Sequence, residues 1–168
     1  MSGLKASVGL ACALMLSACV SGYSPSSITG GFEQQQLSDT TWRVTYNGNG
    51  YTTEETVQTY WLYRSAEIAI EQGYDGFQII SDVELTALPD GEARILPAVE
   101  SGLGKPYMVA DIRLLRAPLP ERGRYVFDAR AMQTFLAPYV NELCNGNVCP
   151  HVHRYLFPGM MAEAPTTR

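Results

Sequence analysis

Apolar and polar residues alternate along Trp42-Arg43-Val44-Thr45-Tyr46, which predicts a strand with Trp42, Val44 and Tyr46 on its buried face. Asn47-Gly48-Asn49-Gly50 breaks that strand. The period then changes. Thr52 stands three residues before Glu55, the spacing of a capping box, and a helix is expected from about Thr53 to Gln72. Val57, Trp61, Leu62, Ala66, Ile68 and Ala69 fall on one stripe of it, with Arg64, Glu67 and Glu71 opposite. Gly73 suits the left-handed position that ends such a helix. A second strand is expected from Phe77 to Leu85. A third follows where Met108, Ala110, Ile112 and Leu114 alternate with Val109, Asp111 and Arg113. Between them, residues 88–106 carry Gly and Pro without a clean period and read as a long loop.

Tyr125-Val126-Phe127 predicts a short fourth strand, and Asp128 a cap for a second helix with Met132, Phe135, Leu136, Tyr139, Val140 and Leu143 at helical spacing. Pro138 is expected to kink or shorten that helix. Val152–Phe157 is a candidate last strand, and Phe32–Leu37 a candidate edge strand. The order β-α-β-β-(β)-α-β places the chain in the α+β class: a two-layer sandwich, a mixed sheet with two helices on one face. The strands flanking the first helix are expected to run parallel, and the later ones to add antiparallel pairs.

The N-terminus has a different texture. Lys5 is the only charge before Glu33, and an apolar run from Ala6 to Leu16 follows it. That run is too short to span a bilayer and has the length of a signal-peptide core. It ends in Leu16-Ser17-Ala18-Cys19, which resembles the lipobox of bacterial lipoproteins. The resemblance implies cleavage between Ala18 and Cys19. It also implies that Cys19 is diacylated on sulfur and N-acylated with a palmitate-type chain. Several acyl chains on one residue give durable attachment, where one is marginal. Val20, not Asp, follows the cysteine, which by the same resemblance favours the outer membrane, facing the periplasm. The expected organisation is a signal peptide over 1–18, a lipid-anchored flexible tether over 19–38, one globular domain over 39–157 and a disordered tail over 158–168.

Composition narrows the partners. The formal net charge is −5, which argues against nucleic acid. The one basic cluster is Arg113, Arg116, Arg122 and Arg124, read as a charged edge hairpin. Glycines before the first helix lack both G-x-G-x-x-G and a P-loop lysine, and Glu54 and Glu55 would repel phosphate there, so they read as a turn and a cap.

The densest candidate chemistry is Cys144-Asn-Gly-Asn-Val-Cys149-Pro-His151-Val-His153. Cys144, Cys149, His151 and His153 make four possible ligands for a metal such as zinc, with spacing unlike most zinc motifs. With Cys19 taken by lipid, Cys144 and Cys149 are an even pair in an oxidising compartment and are expected to form a disulfide. No C-x-x-C motif is present. Asp82 and Glu84 could do acid–base work only in a cleft, which nothing in the sequence shows, and a solvated strand face explains them better.

The stretches Gly30-Gly31-Phe32, Trp42-Arg43-Val44-Thr45-Tyr46, Gly48-Asn49-Gly50-Tyr51-Thr52, Arg64-Ser65-Ala66-Glu67 and Gly73-Tyr74-Asp75-Gly76-Phe77 resemble a group of small proteobacterial cell-envelope lipoproteins. The resemblance covers residues 16 to about 80. It implies an envelope address and attaches no activity. The expected function is that of a non-catalytic interaction or structural module. It would need no cofactor, have no established small-molecule ligand, attach to the membrane through its lipid and meet an envelope protein partner. A periplasmic small-ligand or metal-binding protein and an envelope hydrolase are the alternatives.

Intact-mass measurement of the non-reduced protein after alkylation is expected to find Cys144 and Cys149 unlabelled. Two alkylated thiols, or zinc bound at one equivalent, would remove the disulfide.

Overall fold

The computed structural model describes residues 22–82, 84–87, 93–96, 99–120 and 125–143. Strand β1 (Gly31–Gln36) lies at one edge of a six-stranded sheet and pairs antiparallel with β2 (Thr41–Asn47). Helix α1 (Glu54–Glu71) leads to β3 (Gly76–Ile79). A separate hairpin, β4 (Glu84–Ala87) with β5 (Ala93–Leu96), follows. Then β6 (Glu100–Gly102) turns into the long β7 (Lys105–Leu115). Strand β8 (Val126–Asp128) runs into helix α2 (Ala129–Pro138), and a π-helical turn, Tyr139–Leu143, ends the described chain.

The α+β class is the observed one. The sheet order is β1-β2-β7-β3-β8, with β6 beside the start of β7. Strands β2 and β3 are each antiparallel to β7 and so run in the same direction, as expected of strands joined by a crossover helix. They are not neighbours, because β7 inserts between them, and every ladder between the named strands is antiparallel.

Alternation decides which face is wet. Trp42, Val44 and Tyr46 of β2 and Met108, Ala110, Ile112 and Leu114 of β7 are buried beneath the helices. On the other face Arg43 and Asp111 stand opposite each other and join side by side, at 2.7 and 2.9 Å. An antiparallel sheet tolerates one face in water, and this one uses it.

Helix α1 departs from the expected stripe. Every residue from Thr56 to Ala66 is buried, Gln58, Thr59, Arg64 and Ser65 included. The sheet covers one side of it and α2 another. The N-terminal segment supplies Tyr23 to a third. Its start is also one residue later than the capping-box spacing implies. Thr53 is the cap, its side chain accepting from Thr56 N. Thr52 instead accepts from Asn49 N at 2.9 Å and closes the preceding turn. Trp61, fully buried, donates its indole N–H to Val44 O at 2.9 Å and so fixes the helix against the middle of β2.

Two further expectations change. The long strand over 77–85 ends at Ile79. Beyond it Ile80 N donates to Asp111 O and Asp111 N donates to Ser81 Oγ at 2.7 Å, so a side chain takes over from the ladder. The long loop over 88–106 contains β5, β6 and the start of β7. Asp128 caps α2 as expected, accepting from Ala131 N at 2.8 Å. Pro138 lies in the last turn of α2, where the helix widens into the π turn. The candidate strand Val152–Phe157 lies outside the described residues.

Replacing Trp61 with Phe leaves a cavity and removes the indole hydrogen bond to Val44 O, and is expected to cost about 2–3 kcal/mol in urea unfolding.

Candidate functional site

Residues 22–38 are not a free tether in this fold. From Tyr23 onward the segment is seated on the domain. Phe32 N donates to Ser24 O and Ser26 N to Phe32 O, each at 2.9 Å. The reversal depends on Gly30 and Gly31, both at positive φ (109° and 128°). A Cβ on Gly31 would lie 2.6 Å from the carbonyl oxygens of Ser24 and Pro25, so no other residue fits.

This reversal delivers Tyr23 to α1. Its ring packs on Phe32 and meets Tyr60 and Tyr63 edge-on, with centroids 5.0–5.6 Å apart. Its hydroxyl donates to Glu67. The same Glu67 accepts from Arg64 at 2.8 Å. Arg64 also meets both oxygens of Glu71 at 2.8 and 2.9 Å. Its Nε donates to Gln34 of β1 at 2.8 Å, and its guanidinium lies 4.7 Å from the Phe32 ring centroid. One cation, only 8% exposed, therefore ties the N-terminal segment, the edge strand and α1 together.

Burial works against the charge on Arg64, but the hydrogen bonds from Glu71 and Glu67 outweigh it and hold the guanidinium above its ordinary value. The Tyr23 phenol is held well above its ordinary value, first by burial and then by its bond to Glu67. Burial also raises Tyr46 and Tyr60. Tyr63 is raised by burial and by Glu67, against an opposing hydrogen bond with Gln133. Glu67, expected on a solvated face, is half-buried and holds both the cation and the phenol, while Glu71 is exposed as expected and holds the cation.

Spacing along α1 contained part of this signal. Arg64, Glu67 and Glu71 stand at i, i+3 and i+7 and so share a side of a helix. Nothing near Tyr23 pointed to its partner.

The other candidates disperse. Asp82 is exposed in the connection after β3, and Glu84 opens β4 in the separate hairpin, so the two do not share one strand. Arg113 stands on the open face of β7, across from Gln78. Arg116 lies over the Tyr74 ring and donates to Gly73 O at 3.1 Å. Arg122 and Arg124 lie outside the described residues, as do Ala18, Cys19, Cys144, Cys149, His151 and His153. Among the described residues no three metal-ligating side chains gather.

Among the described residues, two of the surface depressions are open to solvent. One, about 590 Å³, runs along Tyr63, Gln133, Thr134 and Asn141 between the helices. The other, about 240 Å³, lies where Ser26–Gly30, Asn47-Gly48 and Gly102–Tyr107 converge at one end of the sheet. Compared with known proteins, the chain matches no protein-family model, no curated protein and no solved structure.

Arg64→Met is expected to destabilise the domain by about 3 kcal/mol, because it strands Glu67 and Glu71 together. Tyr23→Phe is expected to cost about 1 kcal/mol. The raised phenols also set a pH dependence. The unfolded chain loses its tyrosine protons from about pH 10 while the folded chain keeps them, so stability is full below that pH and falls above it. Urea midpoints at neutral and strongly alkaline pH, with phenolate absorbance, check the sign. A midpoint that rises with pH contradicts it.

Proposed function

We propose that this chain is a lipid-anchored protein of the cell envelope, attached through Cys19 to the outer membrane and facing the periplasm. It works there as a non-catalytic interaction or structural module. The observation that carries this reading is the clasp of Tyr23, Phe32, Gln34 and Arg64. Only residues 20 and 21 separate the proposed lipidated Cys19 from the described chain at Gly22. A pull on the anchor passes almost at once into an ion pair and an aromatic cluster built on the central helix. A domain that must stay close to a surface and bear load on its attachment needs such a join. A loose linker would serve a domain that ranges freely.

The chemistry of the clasp supports the same reading. Glu67 and Glu71 are the carboxylates that α1 holds against Arg64, and both accept hydrogen bonds within the cluster. A general acid or base needs a proton it can exchange with a substrate, whereas these groups hold one another in place.

Cys19→Ala is expected to move the protein from the membrane fraction to the soluble periplasmic fraction and to abolish palmitate incorporation. Continued membrane retention would overturn the anchor. Crosslinking in cells, followed by identification of what is captured, reads out the protein partner.

A further inference from the structure

Among the large apolar and aromatic side chains of the described residues, three stand out by exposure: Ile28 at 101%, Leu103 at 103% and Tyr51 at 74%. They occupy three different turns. Ile28 tips the reversal closed by Ser27 N to Gly30 O at 2.9 Å. Tyr51 sits in the Asn49–Thr52 turn before α1, its N–H held by Asn49 Oδ1. Leu103 tips the hairpin between β6 and β7. The turns touch one another. Asn49 Nδ2 donates to Thr29 O at 3.4 Å, Gly48 N donates to Pro106 O at 2.8 Å, and Ile28, Gly102 and Lys105 line one depression. Isolated exposed apolar residues are ordinary on a protein surface; three nearly bare tips at one end of a sheet are not.

Leu103 adds an independent mark. It has φ 53° and is followed by Gly104 at φ 73°, so both tip residues are left-handed. A two-residue hairpin of that form favours Asn, Asp or Gly at its first position. A leucine there is unfavourable for the backbone and, fully exposed, for the side chain as well.

We propose that Ile28, Tyr51 and Leu103 form a three-point lipid-docking end that seats the domain on the membrane carrying its anchor. The proposal rests on the lipid-anchor reading above. Three residue-to-residue steps lead from Cys19 to Gly22, a reach of about 10 Å, so the acyl chains enter the bilayer close to the domain. Tyr23 packs on Tyr60, within two turns of the start of α1, and that start follows directly on the Tyr51 turn. Separate protruding side chains suit a fluid apolar medium that closes around each one, and a tyrosine suits the headgroup boundary. The depression beside Ile28 carries Ser26, Ser27, Asn47 and Lys105 in its lining, together with Pro106 and Tyr107. A wholly apolar partner groove would leave those polar groups unmatched, whereas headgroups would not. Charge near the tips is mixed, with Glu54 and Glu55 opening α1 and Lys105 beside Leu103, so docking draws on apolar insertion and not on anionic lipid.

The full acylated chain is reconstituted into phosphatidylethanolamine vesicles, with or without brominated acyl chains. Native Trp42 and Trp61 are buried and supply an unquenched background. Separate reporters Leu103→Trp and Ile28→Trp are expected to lose much of their added emission to bromine. A Val109→Trp control on the open sheet face is expected to lose none. Adding Leu103→Asn, which relieves the left-handed strain and so raises the melting temperature, is expected to weaken quenching at position 28. Protein that floats with the vesicles while both tip reporters stay unquenched overturns lipid docking, leaves the anchor standing and assigns the tips to a protein partner. Protein that does not float overturns the anchor and the docking with it.

Discussion

A helix with no wet side through its middle is the constraint on which this domain depends. Sheet, second helix and N-terminal segment each cover part of α1, and Trp61 locks it by a single indole hydrogen bond to the backbone of β2. Once the helix is enclosed, its polar side chains must be matched from within, since an unmatched buried charge is far costlier than an unmatched buried hydroxyl. Ser65 answers this by returning its hydroxyl to Trp61 O at 2.9 Å. Arg64 answers it with two carboxylates, an amide and an aromatic face.

The match on Arg64 has an architectural consequence. Glu67 and Glu71 come from its own helix, but Gln34 and Phe32 come from β1, and the phenol that shares Glu67 comes from Tyr23. The contacts around the charge are therefore complete only when the edge strand and the segment before it are in place. Edge strands are open to unwanted pairing, and β1 is blunted by polar side chains outward and by this cluster inward. The stability of the core and the seating of the N-terminal segment are therefore one linked problem.

Sequence pattern read the sheet well and the helix less well. In β2 and β7 the residues that alternate are the residues that are buried, since a strand with one wet face writes that face into every second position. Asp128 and Gly73 were equally legible, because a cap and a left-handed terminus are local requirements. For α1 the stripe reading assumed a wet face opposite the apolar one. Arg64, Glu67 and Glu71 define it by spacing, yet Phe32 covers Arg64 and Tyr23 meets Glu67, and Glu71 alone of the three stays exposed. The strand after α1 was read too long because Ser81 replaces a ladder bond with a side-chain bond, which no period reveals. The hairpins within 88–106 are too short for a period to show.

Sequence alone determined what depends on neighbours along the chain: the period of each strand, the existence of both helices, the start of α2 and the α+β class. Tertiary structure alone decided the insertion of β7 between β2 and β3, the enclosure of α1, and the meeting of Tyr23 with Glu67, 44 residues apart. The reason is physical. Local order is encoded in contiguous residues that share one backbone geometry. A contact across that distance exists only when several elements bury the same surface together, and the residues that make it carry no mark of one another until they do.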